Sequence, residues 1–367
     1  MEEKIRTPLF RLAKRSSMKP LTAWLIRLSS ILVAFVLGGI VIALIGSDPF
    51  QAYGTIVEGS VGRPVFLQQT IKKAIPLLGC ALAIAPCFKM RFWNIGAEGQ
   101  ITAGALAAAF VARKLGPSFP GEAPSLVLLL LMAAAAILGG GLWGLIPGFF
   151  KAKWNTNETL FTLMLNYIII RVVAWLESGP WSDAQTTIAQ FVPAAQLPKV
   201  LDIHAGWIIV LVLTVLMHVY MRHTKHGYEI AVIGDSMRTA QYAGMNVGNI
   251  MMRTMFLSGG ISGLVGFILA SGASGTLSSH IAGGVGFTSI TVAWLAQLNA
   301  FAMVAISLLL AILSKGASTL HSLMHIPESI SDIITGLLLF SMLGCEFFIN
   351  YRLIPRSKHS GKEAEDK

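Results

Sequence analysis

Long apolar runs alternate with short polar breaks along the whole chain. Ten runs approach the roughly 20 apolar residues a helix needs to cross a hydrocarbon core of about 30 Å. They lie near 22–45, 70–88, 95–113, 126–149, 158–176, 204–221, 255–272, 286–298, 300–317 and 330–348. The second and eighth are the weakest, so eight or nine spans is the alternative reading. The eighth is short and follows a glycine-rich connection, Gly272 to Gly286, as in a broken or re-entrant segment. Such backbone is tolerated at membrane depth only when buried in protein or lining a cavity. The pattern predicts an all-α, polytopic membrane helix bundle of about ten helices.

The breaks differ in character. Residues 46–69 and 177–203 carry Pro49, Pro64, Pro180, Pro193 and Pro198, too many breakers for regular helices. Each reads either as a passive connection or as a docking surface for an outside partner. Gly140, Gly144 and Gly148 form one small-residue stripe, and Gly259 and Gly263 another, with Ser262 and Gly266 beside it. Stripes of this kind let helix backbones approach closely in lipid.

Composition agrees with this picture: 54% of the 367 residues are hydrophobic and 13% charged, about half the charge of a soluble domain. The net charge of +10 raises the question of nucleic acid, and its distribution answers it. With the N-terminus inside, 19 Lys and Arg fall in inside segments: six in 1–20, Lys89, Arg91, Lys151, Lys153, four in 222–253 and five in 350–367. Seven fall outside: Arg63, Lys72, Lys73, Arg113, Lys114, Lys199 and Lys315. Arg27 and Arg171 lie within spans. This bias predicts N-in, C-in topology, and no aromatic-interleaved basic patch suggests nucleic acid. The expected organisation is a basic cytoplasmic N-terminus (1–20), a transmembrane domain (21–349) with a cytoplasmic loop at 222–253, and a polar basic tail (350–367). The run from Leu21 to Ile45 is too long for a signal core and lacks an A-x-A site, so it is expected to remain as the first span. Cys80, Cys87 and Cys345 have no metal-ligand spacing and read as small buried hydrophobes.

The stretch "RFWNIGAEGQ" (91–100) places polar groups inside an apolar region. Groups of this kind in a span usually face protein or an aqueous cavity. Asn94 can cap a helix starting at Ile95, and Glu98 would then stand in the first turn, where the helix dipole favours a carboxylate. Asn94, Glu98 and Gln100 are therefore candidates for a helix anchor or for a substrate pathway, with Phe92 and Trp93 near enough to offer an aromatic face. Glu158 repeats the first-turn pattern, with Thr156 or Asn157 as cap. Asn166 can bond a neighbouring helix or a polar solute, and Arg171 can pair with Glu177 or snorkel outward. In the loop "HGYEIAVIGDSMRTAQYAGMNVGNIMMR", Asp235 or Ser236 can cap two helical turns from Met237 to Ala243, and Gly244 stops them. Met237, Ala240 and Ala243 or Met245 can form the apolar face of this short helix.

Four segments occur in one order: "FWNIGAEGQITAGALAAAF", "GYEIAVIGDSMRTAQYAGMNV", "LSGGISGLVGF" and "GGVGFTSITVAWLAQLNA". Together they resemble the permease subunits of ATP-binding cassette importers for simple sugars and nucleosides, within the larger branched-chain-amino-acid and ribose permease group. The resemblance spans roughly residues 45 to 345. It implies that the helix around Arg238, Tyr242 and Gly244 couples to an ATPase subunit. It also implies a second permease subunit, homologous or identical, and an extracytoplasmic substrate-binding (lipo)protein that delivers a small solute, all in a bacterial inner membrane. Lys89, Met90, Thr291, Trp294 and Ala296 depart from the family pattern.

No G-x-x-x-x-G-K-[ST] loop is present, so ATP and Mg are expected on a partner, with no cofactor held by this chain. An ion-coupled carrier working through Glu98 or Glu158 is the alternative. A serine protease built on Ser262 or Ser274 with His280, His321 or His325 needs a base within reach of the hydroxyl, and no His lies mid-span on a later helix to supply it.

Overall fold

The computed structural model describes residues 10–14, 20–119, 121, 123–182, 190–324, 327 and 329–355. Lys4, Arg6, Arg15, Lys19, His325 and the tail beyond residue 355 lie outside them. The helices in chain order are α1 (Pro20–Leu44), α2 (Pro49–Val61), α3 (Pro64–Lys89), α4 (Ala97–Leu115), α5 (Leu126–Trp154), α6 (Glu158–Ser178), α7 (Gly206–His223), α8 (Lys225–Asp235), α9 (Met237–Tyr242), α10 (Val247–Phe267), α11 (Val285–Leu295), α12 (Ala300–Met324) and α13 (Ser329–Asn350).

Every one of the ten apolar runs lies on a helix: α1, α3 to α7, and α10 to α13. Among the described residues, six helices are long and apolar enough to cross a membrane: α3, α5, α6, α7, α12 and α10 with its continuation to Ser274. A bend of 113° between Leu44 and Pro49 makes α1 and α2 a seventh at most. Two of the others fall short for visible reasons. Much of α4 is Ala and Gly, with Glu98, Gln100 and Thr102 buried in its first turns, so it suits a protein interior better than lipid. α11 has only 11 residues, about 16 Å at 1.5 Å per residue.

The segment 46–69 is not an irregular loop, because its two prolines begin helices. Pro49 opens α2 and Pro64 opens α3. Proline at the first helical position loses no hydrogen bond and has its φ already set. The described residues of 177–203 hold the end of α6, a single 3-10 turn at Pro193–Ala195 and a short pairing of Lys199–Val200 with Ile203–His204. A pairing the spans gave no hint of joins Phe10–Lys14 and Tyr351–Pro355 antiparallel.

The chain divides into two compact units, residues 1–55 with 320–367 and residues 56–319. In the first, α1 packs along α13 and the Tyr53 hydroxyl donates to the Phe35 carbonyl at 2.6 Å. In the second, α10 packs on α5, α4 and α3, while α4 also meets α6. The glycine stripes make these contacts: Gly140 and Gly144 of α5 meet Gly259 and Gly263 of α10 backbone to backbone, and Gly104 of α4 also meets Gly263. A methyl group at these positions would strike main chain, so the three helices pack as one unit. Beyond α10 the helix widens into a π turn over Ile268–Ser274.

Candidate functional site

Helix α3 ends in a motif that turns the chain inward. Arg91 adopts φ +60°, the Phe92 amide donates to the Cys87 carbonyl at 2.9 Å, and the Arg91 amide to Phe88 at 3.0 Å. This pair of bonds closes a helix with a left-handed residue after its cap. The connection 90–96 then alternates: Met90, Phe92 and Asn94 are buried, while Trp93 is half-exposed.

Asn94 does not cap a helix at Ile95. Helix α4 begins at Ala97 and its N-cap, Gly96, has no side-chain partner. The Asn94 carbonyl oxygen instead accepts from the Gly96 amide at 3.0 Å and from Gln100 Nε2 at 3.2 Å. Its Nδ2 donates to Ser258 Oγ on α10 at 3.1 Å. The Ile95 amide turns to Thr162 Oγ1 of α6 at 3.3 Å, which delays the helix by two residues. Asn166, also on α6, accepts from the Gly99 amide at 2.9 Å and donates to the Ile95 carbonyl at 3.0 Å. Asn94, Gln100 and Asn166 are each at most 2% exposed. Their amides are bonded to protein on both sides, as a buried polar network requires.

Glu98 stands in the first turn of α4, yet its carboxylate serves another helix. Oε1 accepts from the Gly284 amide at 2.7 Å and Oε2 from the Gly286 amide at 2.7 Å. Gly284 is the N-cap of α11 and has no side-chain cap of its own. Glu98 supplies that cap from across the bundle, at the positive end of the α11 dipole. Only glycine fits here. Gly283 and Gly284 have φ +55° and +82°, and a Cβ on Gly286 would strike the Glu98 main chain. Among the described residues no lysine or arginine pairs with Glu98.

Glu158 belongs elsewhere. Asn157 caps its helix, accepting from the Leu160 amide at 3.1 Å, and the Glu158 carboxylate meets Lys151 Nζ at 2.9 Å. This pair lines a cavity of about 220 Å³ with Arg91, Asp235, Ser236 and Met237. The ten residues singled out by sequence therefore form two groups: Asn94, Glu98, Gln100 and Asn166 around the start of α4, and Glu158 with the α8–α9 set.

In that second group Ser236, not Asp235, caps α9, accepting from the Thr239 amide at 3.2 Å. Asp235 ends α8, a helix the sequence pattern does not announce. Ala240 is fully buried in a core with Met90, Phe92, Ile230, Ile233 and Met251. The opposite side of α9 is open: Arg238 and Gly244 are exposed and Tyr242 is 93% exposed. Gly244 stops the helix at φ +75°. Gly234 lets α8 rest directly on the carbonyl of Lys89. The α8–α9 segment thus sits on the same connection that leads to Asn94 and Glu98.

Phe92 lies in the core and cannot offer an aromatic face. Trp93 does, stacked on Trp294 of α11 with centroids 5.7 Å apart and planes at 25°; Phe88 packs behind both rings. Sequence reading missed Ser258, Gly284, Gly286 and Trp294 as partners. All four lie inside the segments that carry the resemblance, so "FWNIGAEGQ", "LSGG" and "GGVGF" are brought together in space. Among the described residues the Ser262 hydroxyl is buried without a hydrogen-bond partner, so none of them stands as a base beside it.

Residues 66–343 match the family described as branched-chain amino acid transport system / permease component. The chain is 30% identical over 340 residues to the glucose ABC transporter permease protein TsgB13 of Haloferax volcanii, covering 88% of each chain. It is 30% identical over 333 residues to the guanosine ABC transporter permease protein NupP of Bacillus subtilis, covering 88% of this chain and 93% of that one. Identity to the nucleoside ABC transporter permease protein NupB of Lactococcus lactis is 26% over 349 residues, 91% and 94% of the two chains. No solved structure matches with comparable significance.

Proposed function

The chain belongs to the branched-chain amino acid transport system / permease component family, and from that premise we propose that it is the membrane-spanning permease subunit of an ATP-binding cassette importer for nucleosides or simple sugars. The observation that carries this reading is α9. One residue, Ala240, locks the helix onto the body, while Arg238, Tyr242 and Gly244 stand free on its other side. A soluble ATPase needs such a projecting, firmly seated handle to move a membrane partner. ATP and Mg belong to that ATPase, and this subunit does no covalent chemistry.

Mechanically, the handle rests on Met90 and Phe92, and the next residues hold α11 through Glu98. Displacement of α9 is thereby delivered to a half-length helix that bears Trp294. The transport cycle is alternating access, in which a ligand moves the equilibrium only by its differential affinity for two packings. Asn94, Glu98, Gln100 and Asn166 serve as anchors of the moving parts, since their polar atoms are bonded to protein. Solute contact falls to the half-exposed Trp93–Trp294 face, suited to the flat side of a base or a sugar ring.

In this reading ten segments enter the membrane, α11 as the broken one, with both termini inside as the lysine and arginine bias favours. The complex contains a second permease, an ATPase and an extracytoplasmic binding protein in a bacterial inner membrane. A proton-coupled carrier needs a titrating carboxylate facing the pathway; Glu98 holds two amides and Glu158 holds Lys151. Uptake measured with ATP present and a proton uncoupler added decides the matter: survival of uptake supports the importer, and abolition supports the carrier.

A further inference from the structure

Between α7 and α10 the bundle is open. Helix α10 packs on α5, α4 and α3, and α7 on α3 and α8, so a trough of about 960 Å³ remains between them. Its walls are Ile137 and Leu145 of α5, Leu213 of α7, and Phe256, Leu257 and Leu264 of α10. Polar groups occur at one end only: Tyr220, His226, Asn249 and Arg253. Tyr220 bonds one ring nitrogen of His226, and Thr254 Oγ1 lies 3.3 Å from the other, so the histidine is already occupied. Arg253 makes no ion pair among the described residues. Glu229, which shares the neighbourhood of Tyr220, lies 3.8 Å from Lys225.

We propose that this trough binds one anionic phospholipid, its acyl chain along α10 and its phosphate on Arg253. Arg253 is the charged residue among those lining the trough, and a fixed cation at one end of an apolar surface is the complement of a phosphate. The dimensions agree. Asn249 and Leu264 stand fifteen positions apart on α10, about 22 Å at 1.5 Å per residue, enough to run from headgroup level past the middle of a core about 30 Å thick. An anion at Arg253 and hydrocarbon along Leu257 and Leu264 is the chemistry of a single lipid molecule, with an interfacial charge and a buried tail.

The test uses the full chain in nanodiscs of equal parts phosphatidylcholine and phosphatidylglycerol, followed by native mass spectrometry of the lipid retained on release. The expected result is preferential retention of phosphatidylglycerol, reduced about fivefold by Arg253→Gln and restored by Arg253→Lys. Leu257→Trp, which fills the trough without touching the charge, lowers retention of both lipids. Equal retention of phosphatidylglycerol in the wild type and Arg253→Gln overturns the assignment. So does an efficient disulfide between two copies carrying Leu257→Cys, which would make the trough a subunit contact. Neither readout depends on transport, so the result stands apart from the importer reading.

Discussion

The carboxylate of Glu98 and the amide of Gly286 are 2.7 Å apart although 188 positions separate them in the chain. With the matching bond to Gly284, this contact fixes the start of one helix onto the start of another inside the bundle. Charge-assisted hydrogen bonds in buried surroundings contribute about 1.5–3 kcal/mol each. Glu98→Gln replaces one acceptor with an NH₂ that faces an amide donor. The variant should unfold at a lower temperature and lose most uptake, and Gly286→Ala should resemble it because the added methyl meets the Glu98 backbone. Thermal unfolding in detergent together with uptake checks both. A Glu98→Gln protein of unchanged stability but no uptake would assign Glu98 to the pathway instead.

Asn166 bonds the main chain of the 95–99 segment on two sides. Asn166→Leu leaves the Gly99 amide and the Ile95 carbonyl unpaired, at a cost of about 1–3 kcal/mol for each buried group. The expected outcome is a lower yield of folded protein, with the KM of whatever solute is transported unchanged in the fraction that folds. A raised KM at full stability would place Asn166 in contact with solute.

Arg238 and Tyr242 touch little of their own chain, so Arg238→Ala and Tyr242→Ala should shift stability by no more than about 0.5 kcal/mol. Uptake should nonetheless be lost, and ATP hydrolysis by the assembled complex should no longer respond to the loaded binding protein. Ala240→Leu is the converse case, since a larger side chain in a packed core costs about 1–3 kcal/mol and the subunit should assemble poorly. Normal uptake by the Tyr242 and Arg238 variants would remove α9 from the coupling role.

Trp93→Ala and Trp294→Ala each break the stacked pair on the half-exposed face. If that face receives the solute ring, either substitution should raise the KM for uptake at least several-fold while assembly persists, and Trp294→Phe should restore part of it. Uptake measured over a solute concentration series provides the check, and an unchanged KM in both variants would move solute contact elsewhere.

His204 ends the short strand before α7 and is buried, with neither ring nitrogen hydrogen-bonded among the described residues. Its ring packs against Gly272 and Gly206. Burial, and secondarily the charge of Lys72, push its pKa down to about 4 from the ordinary 6.5. The unfolded chain therefore binds the proton first as pH falls. Stability is fully present above about pH 6.5, declines toward pH 4, and the total loss is on the order of 3 kcal/mol. His204→Phe keeps the ring and removes the proton site, so the acid-side loss in a thermal unfolding series from pH 7 to pH 4 should shrink.

What the pattern of residues could reveal followed from local physics. Apolar runs announced the helices because burial in lipid or protein demands them, and Ser236, Asn157 and Gly244 marked helix ends as their side chains and φ preferences allow. Pro49 and Pro64 misled, since a proline reads as a breaker when its position in the helix is unknown. α8 escaped because its buried face is short and half glycine, Gly227, Ile230, Ile233 and Gly234; Ile230 and Ile233 anchor it in the core and Gly234 rests on Lys89. The partners of Glu98, Asn94 and Trp93 lie on helices far along the chain, and nothing periodic connects them. The resemblance supplied the segments, and folding supplied their meeting.

The separation of Glu98 from its donors also has a history in time. A ribosome adding about 5–20 residues per second reaches Gly286 about 10–40 s after Glu98. Throughout that interval a carboxylate sits in the nascent bundle without the two amides that will hold it, and the 11-residue α11 does not yet exist to be held. Nascent subunits therefore pass through a stage in which Glu98 lacks its two amide donors, and completion of the start of α11 ends it.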